Sequence, residues 1–253
     1  MLVYALAICV GCALLHLSLL VAMAAKLRAK LNDVQDAISL ENGLRRAGYE
    51  LTDFFMDEAA GNPSLQLLHF KILRLCRPQQ ILELGSGQTT KLLSCYHRQN
   101  PSGYVLTLEQ DEKWFLQLKD QITHDYRQVS IEPKDFQCLG TELKITTSWY
   151  PDLPEFHERK FEYLLVDGPD HGGPGTLHVD YARSGILQYI PALLAPKFIV
   201  VFDDAERYGE TMTINALDAL LRATDIPFVR FARHGMKSQV AFCSPEFAFL
   251  RSV

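Results

Sequence analysis

Ile81-Leu82-Glu83-Leu84-Gly85-Ser86-Gly87-Gln88-Thr89-Thr90 decides the fold. An apolar strand runs into a glycine turn, and a helix begins directly behind it. A second apolar strand, Val105 to Leu108, follows and ends on Glu109. Glycine at 85 and 87 lets the backbone approach a ligand closely, because no Cβ intrudes. The free N–H groups at the start of the helix point at whatever sits there. An acid at the tip of the second strand suits the two hydroxyls of a ribose. The simplest competing reading is a tight β–α turn flanked by solvated acids.

The pattern G-x-G-x-x-G would require glycine at 90, where the chain has Thr90, so a pyrophosphate cradle is disfavoured. Glu83 argues the same way. A carboxylate near the end of a bound cofactor repels phosphate and attracts an ammonium. S-adenosylmethionine (SAM) carries an amino group, a ribose and no phosphate, and is the cofactor these residues suit.

From residue 80 onward strand and helix alternate. Strands are predicted at 80–84, 104–108, 128–132, 161–166 and 197–202, and helices at 89–97, 112–123, 181–194 and 210–223. Such alternation means a parallel sheet covered by helices on both faces. Two further strands, 226–232 and 238–243, are joined by Arg233-His234-Gly235-Met236-Lys237, a short link that predicts a closing antiparallel hairpin. The fold class is therefore α/β: a doubly wound, mostly parallel sheet with a C-terminal antiparallel hairpin. Residues 134–160, with Trp149, Tyr150, Pro151 and Pro154, read as a long irregular insert. Ligands bind such sheets outside the carboxyl ends of the strands. The strands deliver Glu83, Glu109, Asp167 and the pair Asp203-Asp204 to that edge.

With these residues the chain resembles the class I SAM-dependent methyltransferases over roughly residues 64–243. Glu83-Leu84-Gly85-Ser86-Gly87 is similar to the family's first motif, and Leu108-Glu109 to its ribose-binding strand end. The resemblance implies a seven-stranded sheet. It places Glu83 near the methionine amino group, and Gly85, Ser86 and Gly87 under the cofactor. Thr89 or Thr90 would be on its carboxylate and Glu109 on the ribose, with adenine contacts somewhere in 134–141. Within the superfamily the acids resemble the catechol-type O-methyltransferases, which hold Mg²⁺ through acids after the fourth and fifth strands. By position these are Asp167, Asp203 and Asp204. Three converging carboxylates suit a hard cation, which lowers the pKa of a chelated hydroxyl. The lysine base of that type is absent. His171, in Val166-Asp167-Gly168-Pro169-Asp170-His171, is the candidate base in its place, beside Asp167. Some sugar-directed relatives carry a similar Asp-Gly-Pro stretch in which the aspartate acts without metal, and both alternatives stay open. The glycines of 168–175 predict a mobile lid.

Leu2 to Ala25 contains no charged residue. As a helix at ~1.5 Å per residue it would be about 36 Å long, enough to cross a hydrocarbon core of roughly 30 Å. A cleaved signal peptide would begin with positive charge, and no Lys or Arg precedes Lys26. Lys26, Arg28 and Lys30 follow the run and orient the rest of the chain to the cytoplasm. The expected organisation is a transmembrane anchor at 1–25, an amphipathic helical linker at 26–63 and a catalytic domain at 64–253. Leu27, Leu31, Val34 and Ile38 repeat at spacings of 4, 3 and 4. They could pair two copies of the chain through 27–46, or lie against the domain.

A net charge of −5 provides no basic field, which excludes a nucleic-acid partner. Cys9 and Cys12 form a C-x-x-C inside the apolar run, with no second pair nearby, and read as helix-face residues rather than a zinc or redox site. The function expected is a membrane-anchored, cytoplasm-facing O-methyltransferase acting on a small-molecule, glycan or lipid-linked hydroxyl. Two alternatives stand beside it. One is another cofactor-dependent transferase on the same fold, and the other a non-catalytic membrane scaffold.

Overall fold

Seven strands form one sheet in the computed structural model, which describes residues 2–50, 62–137, 144–169 and 182–252. In chain order the elements are α1 (Leu2–Arg46), α2 (Pro63–Cys76), β1 (Gln80–Leu84), α3 (Gln88–Gln99), β2 (Tyr104–Glu109), α4 (Glu112–Leu118), β3 (Asp125–Gln128), β4 (Glu132–Gln137), β5 (Lys144–Trp149), α5 (Glu155–Glu158), β6 (Phe161–Val166), β7 (Leu194–Phe202), α6 (Tyr208–Ala223), β8 (Val229–His234) and β9 (Ser238–Cys243).

The sheet order is β3-β2-β1-β6-β7-β9-β8. β3, β2, β1, β6 and β7 run parallel, and β9 is antiparallel to both of its neighbours. This is the doubly wound α/β architecture with a closing antiparallel hairpin that the sequence predicts. Successive side chains on a strand point to opposite faces. Ile81, Val105, Tyr163, Leu165, Ile199 and Val201 therefore pack with α2 and α3. Leu82, Leu84, Leu106, Leu108, Val200 and Phe202 pack on the other face, with Ile214 and Leu217 of α6.

Where the structure departs from the sequence reading, the causes are local. The third strand lies at Asp125–Gln128, not 128–132. It is an edge strand built of polar residues, so burial leaves little pattern to read. The insert at 134–160 is not irregular: β4 and β5 pair antiparallel as a separate two-stranded sheet. The helix expected at 112–123 ends at Leu118 and tightens into a 3₁₀ turn, Lys119–Gln121. The pattern at 181–194 is a 3₁₀ segment, Ala182–Gln188, followed by turns. Gly185 and Pro191 are poor helix residues, and a Cβ on Gly185 would come within 2.1 Å of the Trp149 ring. β8 begins at Val229 rather than 226, just beyond Pro227, which has no N–H for a ladder.

α1 contains one stretch long and apolar enough to cross a membrane, with Leu14, Leu17, Leu20 and Val21 exposed. Its C-terminal part lies against the domain. Leu40 and Leu44 are buried, and Gly43 admits the Phe70 ring of α2. Asn32 Nδ2 donates to His234 O at 2.9 Å, and Met236 N donates to Asp33 Oδ2 at 2.9 Å. Leu27, Leu31, Val34 and Ile38 point the other way and are exposed. The stripe therefore does not lie against the domain, which packs on the opposite face of the helix.

Gly235 in the β8–β9 turn fits under α1 only without a side chain, since its Cβ would lie 2.0 Å from Asp33 Oδ1. Gly235→Ala is expected to destabilise the fold by about 1–3 kcal/mol through overpacking. Thermal unfolding of the full chain in detergent micelles checks this, and an unchanged midpoint would contradict the docking of α1.

Candidate functional site

The carboxyl ends of four adjacent strands are stitched together by their last backbone bonds. Gly85 N donates to Leu108 O at 2.9 Å, Asp167 N to Leu84 O at 2.9 Å, and Asp203 N to Val166 O at 3.2 Å. Each donor is the residue just past its strand, so Glu109, Gly85, Asp167 and Asp203 stand in a row along one edge. The sequence nominated these residues from four separate segments, and the parallel register brings them together.

Gly85 has φ +85°, a conformation that favours glycine. Its missing Cβ serves the neighbouring chain: a Cβ there would meet Gly168 N at 2.8 Å and Asp167 C at 2.9 Å. Gly168 is matched to it, since its own Cβ would meet Gly85 Cα at 2.8 Å and the Tyr150 hydroxyl at 2.9 Å. The close approach inferred from the glycine is thus made by the β6 backbone. At Gly87 the N–H donates to Thr90 Oγ1 at 2.9 Å and opens α3.

Glu83 is fully buried on the α2–α3 face of the sheet. Its Oε2 accepts from Thr90 Oγ1 and Thr107 Oγ1, both at 2.8 Å, and Thr107 stands directly across the ladder in β2. Oε1 is buried with no hydrogen-bond partner of good geometry. Burial pushes this carboxyl up to about 7, although the threonine hydroxyls favour the charged form. Glu109 closes the other side of the turn. Its Oε2 accepts from Ser86 N at 2.7 Å and Ser86 Oγ at 2.6 Å, and its Oε1 accepts from Asp111 N at 2.7 Å. Burial raises it as well, against the pull of those Ser86 and Asp111 bonds. Tyr126 OH lies 2.9 Å from Ser86 Oγ, completing the β2–β3 side.

These residues fit SAM. A buried carboxylate with an unused acceptor suits an ammonium, and an acceptor-only carboxylate at the next strand end suits a ribose diol. Neither suits phosphate.

Asp167, Asp203 and Asp204 also converge, each offering an oxygen within 4.8 Å of the others. The sequence reading missed what lies among them. Arg183 Nη2 donates to Asp167 Oδ1 at 3.1 Å and to Asp204 Oδ2 at 3.0 Å, while Nη1 donates to Asp203 O at 2.7 Å. Its Nε faces Glu210 Oε1 at 3.5 Å. Lys237 Nζ lies 3.2 Å from Asp204 Oδ1 and 4.0 Å from Asp203 Oδ2. Gln239 Nε2 donates to Asp203 Oδ1 at 2.7 Å, and Arg207 reaches Asp204 from the surface. Burial and Asp203 raise Asp167 well above the usual carboxylate range, with Arg183 pulling against them. Burial and Asp204 raise Asp203. Asp204 goes the other way. Burial would raise it, but Arg183, Lys237 and Arg207 together hold it below its ordinary value. Asp204 also holds a left-handed backbone, φ +53°, which these contacts fix in place.

Asp203 and Asp204 are buried, whereas the Asp167 side chain keeps 27% of its exposure. His171, residues 138–141 of the adenine-contact range and 170–175 of the glycine-rich stretch lie outside the described residues. A lone arginine in the apolar run Ala182-Arg183-Ser184-Gly185-Ile186-Leu187 was the available signal for Arg183, and the reading passed over it as part of a helix.

No family model and no curated protein matches the chain. Among solved structures it is similar to the O-methyltransferase TomG from Streptomyces achromogenes in complex with SAM. That match has 14% identity, covers 87% of this chain and 98% of that one, and gives a TM-score of 0.47. An O-methyltransferase from Bacillus cereus in complex with SAH matches at 14% identity over 82% and 91%, TM-score 0.46. A methyltransferase from Geobacter sulfurreducens matches at 15% identity over 83% and 88%, TM-score 0.42. So distant a likeness leaves the residues themselves to carry the functional argument.

The raised Glu83 ties stability to pH. Its folded value of about 7 exceeds the ordinary 4.5, so folding takes up a proton between those limits. The destabilisation is absent below pH 4.5, grows as pH rises toward 7 and is constant above, reaching at most on the order of 3 kcal/mol. Glu83→Gln removes this titration. Denaturant unfolding across pH 4–8 is expected to show the variant gaining on wild type as pH rises and levelling above about 7. A pH-independent difference would contradict the buried, unfavourably charged acid.

Proposed function

We propose that this chain is a SAM-dependent O-methyltransferase. One observation carries the reading: two buried carboxylates, Glu83 and Glu109, flank a glycine turn at adjacent strand ends. The cofactor supplies an electrophilic methyl group on a sulfonium sulfur. The chain's part is to orient and to move one proton. Glu83 and Glu109 would hold the two ends of the nucleoside amino acid, and Asp167 stands at the neighbouring strand end. Asp167 would take the proton released from the acceptor's hydroxyl when that oxygen receives the methyl group. Its raised proton affinity places that exchange nearer neutrality, where a general base is most effective. Positioning supplies much of the remaining rate.

The apolar half of α1 serves in this reading as a single-pass anchor. Lys26, Arg28 and Lys30 hold the domain on the cytoplasmic side, where the cofactor is made. The acceptor is a hydroxyl of a small molecule, a glycan or a lipid-linked compound reaching the domain near the membrane. A pairing of two copies through 27–46 would rest on the outward stripe Leu27, Leu31, Val34 and Ile38.

Calorimetry of the full chain in detergent micelles with SAM tests the assignment, and a flat trace would leave a scaffold role in its place. Glu109→Ala is expected to weaken binding by roughly tenfold to a hundredfold, the worth of hydrogen bonds to a charged group. Asp167→Asn is expected to leave affinity within about twofold and to lower turnover by roughly a hundredfold or more. Equal loss of cofactor affinity in both variants would overturn this division of roles.

A further inference from the structure

Three carboxylates meeting at a strand edge need compensating positive charge. Mg²⁺ would supply two charges and would ask for near-octahedral oxygens at about 2.0–2.1 Å. Here Asp167 Oδ1 and Asp204 Oδ2 already receive N–H donors from Arg183 and Asp203 Oδ1 one from Gln239, while Asp203 Oδ2 and Asp204 Oδ1 are buried without a hydrogen bond and have Lys237 Nζ as their nearby cation. Arg183 is itself buried, with its side chain 3% exposed, and it spans Asp167, the Asp203 carbonyl and Asp204 at 2.7–3.1 Å. Lys237 adds a second cation at 3.2 Å from Asp204. Arg183 and Lys237 together bring the two positive charges that one Mg²⁺ would bring. The planar guanidinium also offers several donors in a fixed fork, which a point charge does not. The aspartates therefore converge as a metal site does, but around a side chain of the same protein.

We propose that Arg183, supported by Lys237, stands in place of a divalent metal in the Asp167-Asp203-Asp204 cluster. The site works without metal, and Arg183 is the positioning residue that aims Asp167 at the acceptor. This deepens the methyltransferase reading and rests on it for Asp167's task, while the occupancy of the cluster can be tested separately.

Mn²⁺ is the probe, its free concentration followed by electron paramagnetic resonance with the full chain in detergent micelles. Wild type and Arg183→Lys are expected to leave Mn²⁺ free up to roughly millimolar concentrations, the weak end of protein cation sites. Arg183→Met uncovers the carboxylates and is expected to gain one site, at least about tenfold tighter, which Asp203→Asn in the same background removes. A purely structural arginine would give no such gain, so a folded Arg183→Met chain without a site overturns the proposal. So does wild-type binding of one Mn²⁺ that Asp203→Asn abolishes, or Arg183→Lys binding as tightly as Arg183→Met. Should Arg183→Met fail to fold, the wild-type and Arg183→Lys titrations still decide: free Mn²⁺ in both supports the exchange, and bound Mn²⁺ in either overturns it. A chain that binds no SAM yet leaves Mn²⁺ free would sink the methyltransferase reading and keep the charge assignment.

Discussion

The backbones of Gly85 and Gly168 touch where β1 and β6 leave the sheet, and the site depends on that contact. A Cβ on either residue would fall within 3 Å of the other's backbone. The contact holds the cofactor turn and Asp167 in van der Waals register, with Tyr150 buried beneath as a fixed floor. Widening it by one methyl group would separate the two halves of the chemistry by a distance that matters for in-line transfer, where an ångström of misplacement is costly. Both glycines serve placement first, and binding follows from it.

Carboxylates along this edge meet two different fates, and the difference is one of partners. Glu83 has hydroxyls around it and no cation, so burial dominates and its proton is held more tightly. Asp204 is also buried from solvent, yet three cations reverse the balance. An acid kept without a cation is costly to fold, and such a cost persists where a positively charged ligand relieves it. An acid already neutralised from within has no such need. The same sheet edge thus holds one acid with no ion pair among the described residues and another held by three cations.

The sheet was legible because its central strands are buried on both faces and read as unbroken apolar runs, as at Phe161–Val166 and Phe198–Phe202. Acids at their carboxyl ends were legible because a parallel sheet sends every strand end to one edge. Polar β3 and the β4–β5 hairpin were not, since half-exposed strands of Asp, Arg, Gln, Lys and Thr carry no period that burial enforces. Arg183 and Lys237 were illegible for another reason. Each lies far in sequence from the acids it neutralises, and one sits in a 3₁₀ segment, the other beside a turn. A charge's partner is a fact of three-dimensional packing, and composition of the local segment does not reveal it. The identity of the Gly85 neighbour was hidden likewise: the sequence indicates that something comes close, while the sheet order determines what.

The turn between β8 and β9 joins α1 to this edge. Asp33 of α1 receives Met236 N and packs on Gly235, and the next residue, Lys237, reaches Asp203 and Asp204. A second route runs from Asn62, the cap of α2, through Gln239 to Asp203. Any tilt of α1 relative to the sheet must therefore move Lys237 or stretch the Asp33 bond. The cost of separating Lys237 from two buried aspartates resists that tilt, since an uncompensated buried charge is expensive. This turn thereby couples α1 to the aspartate cluster.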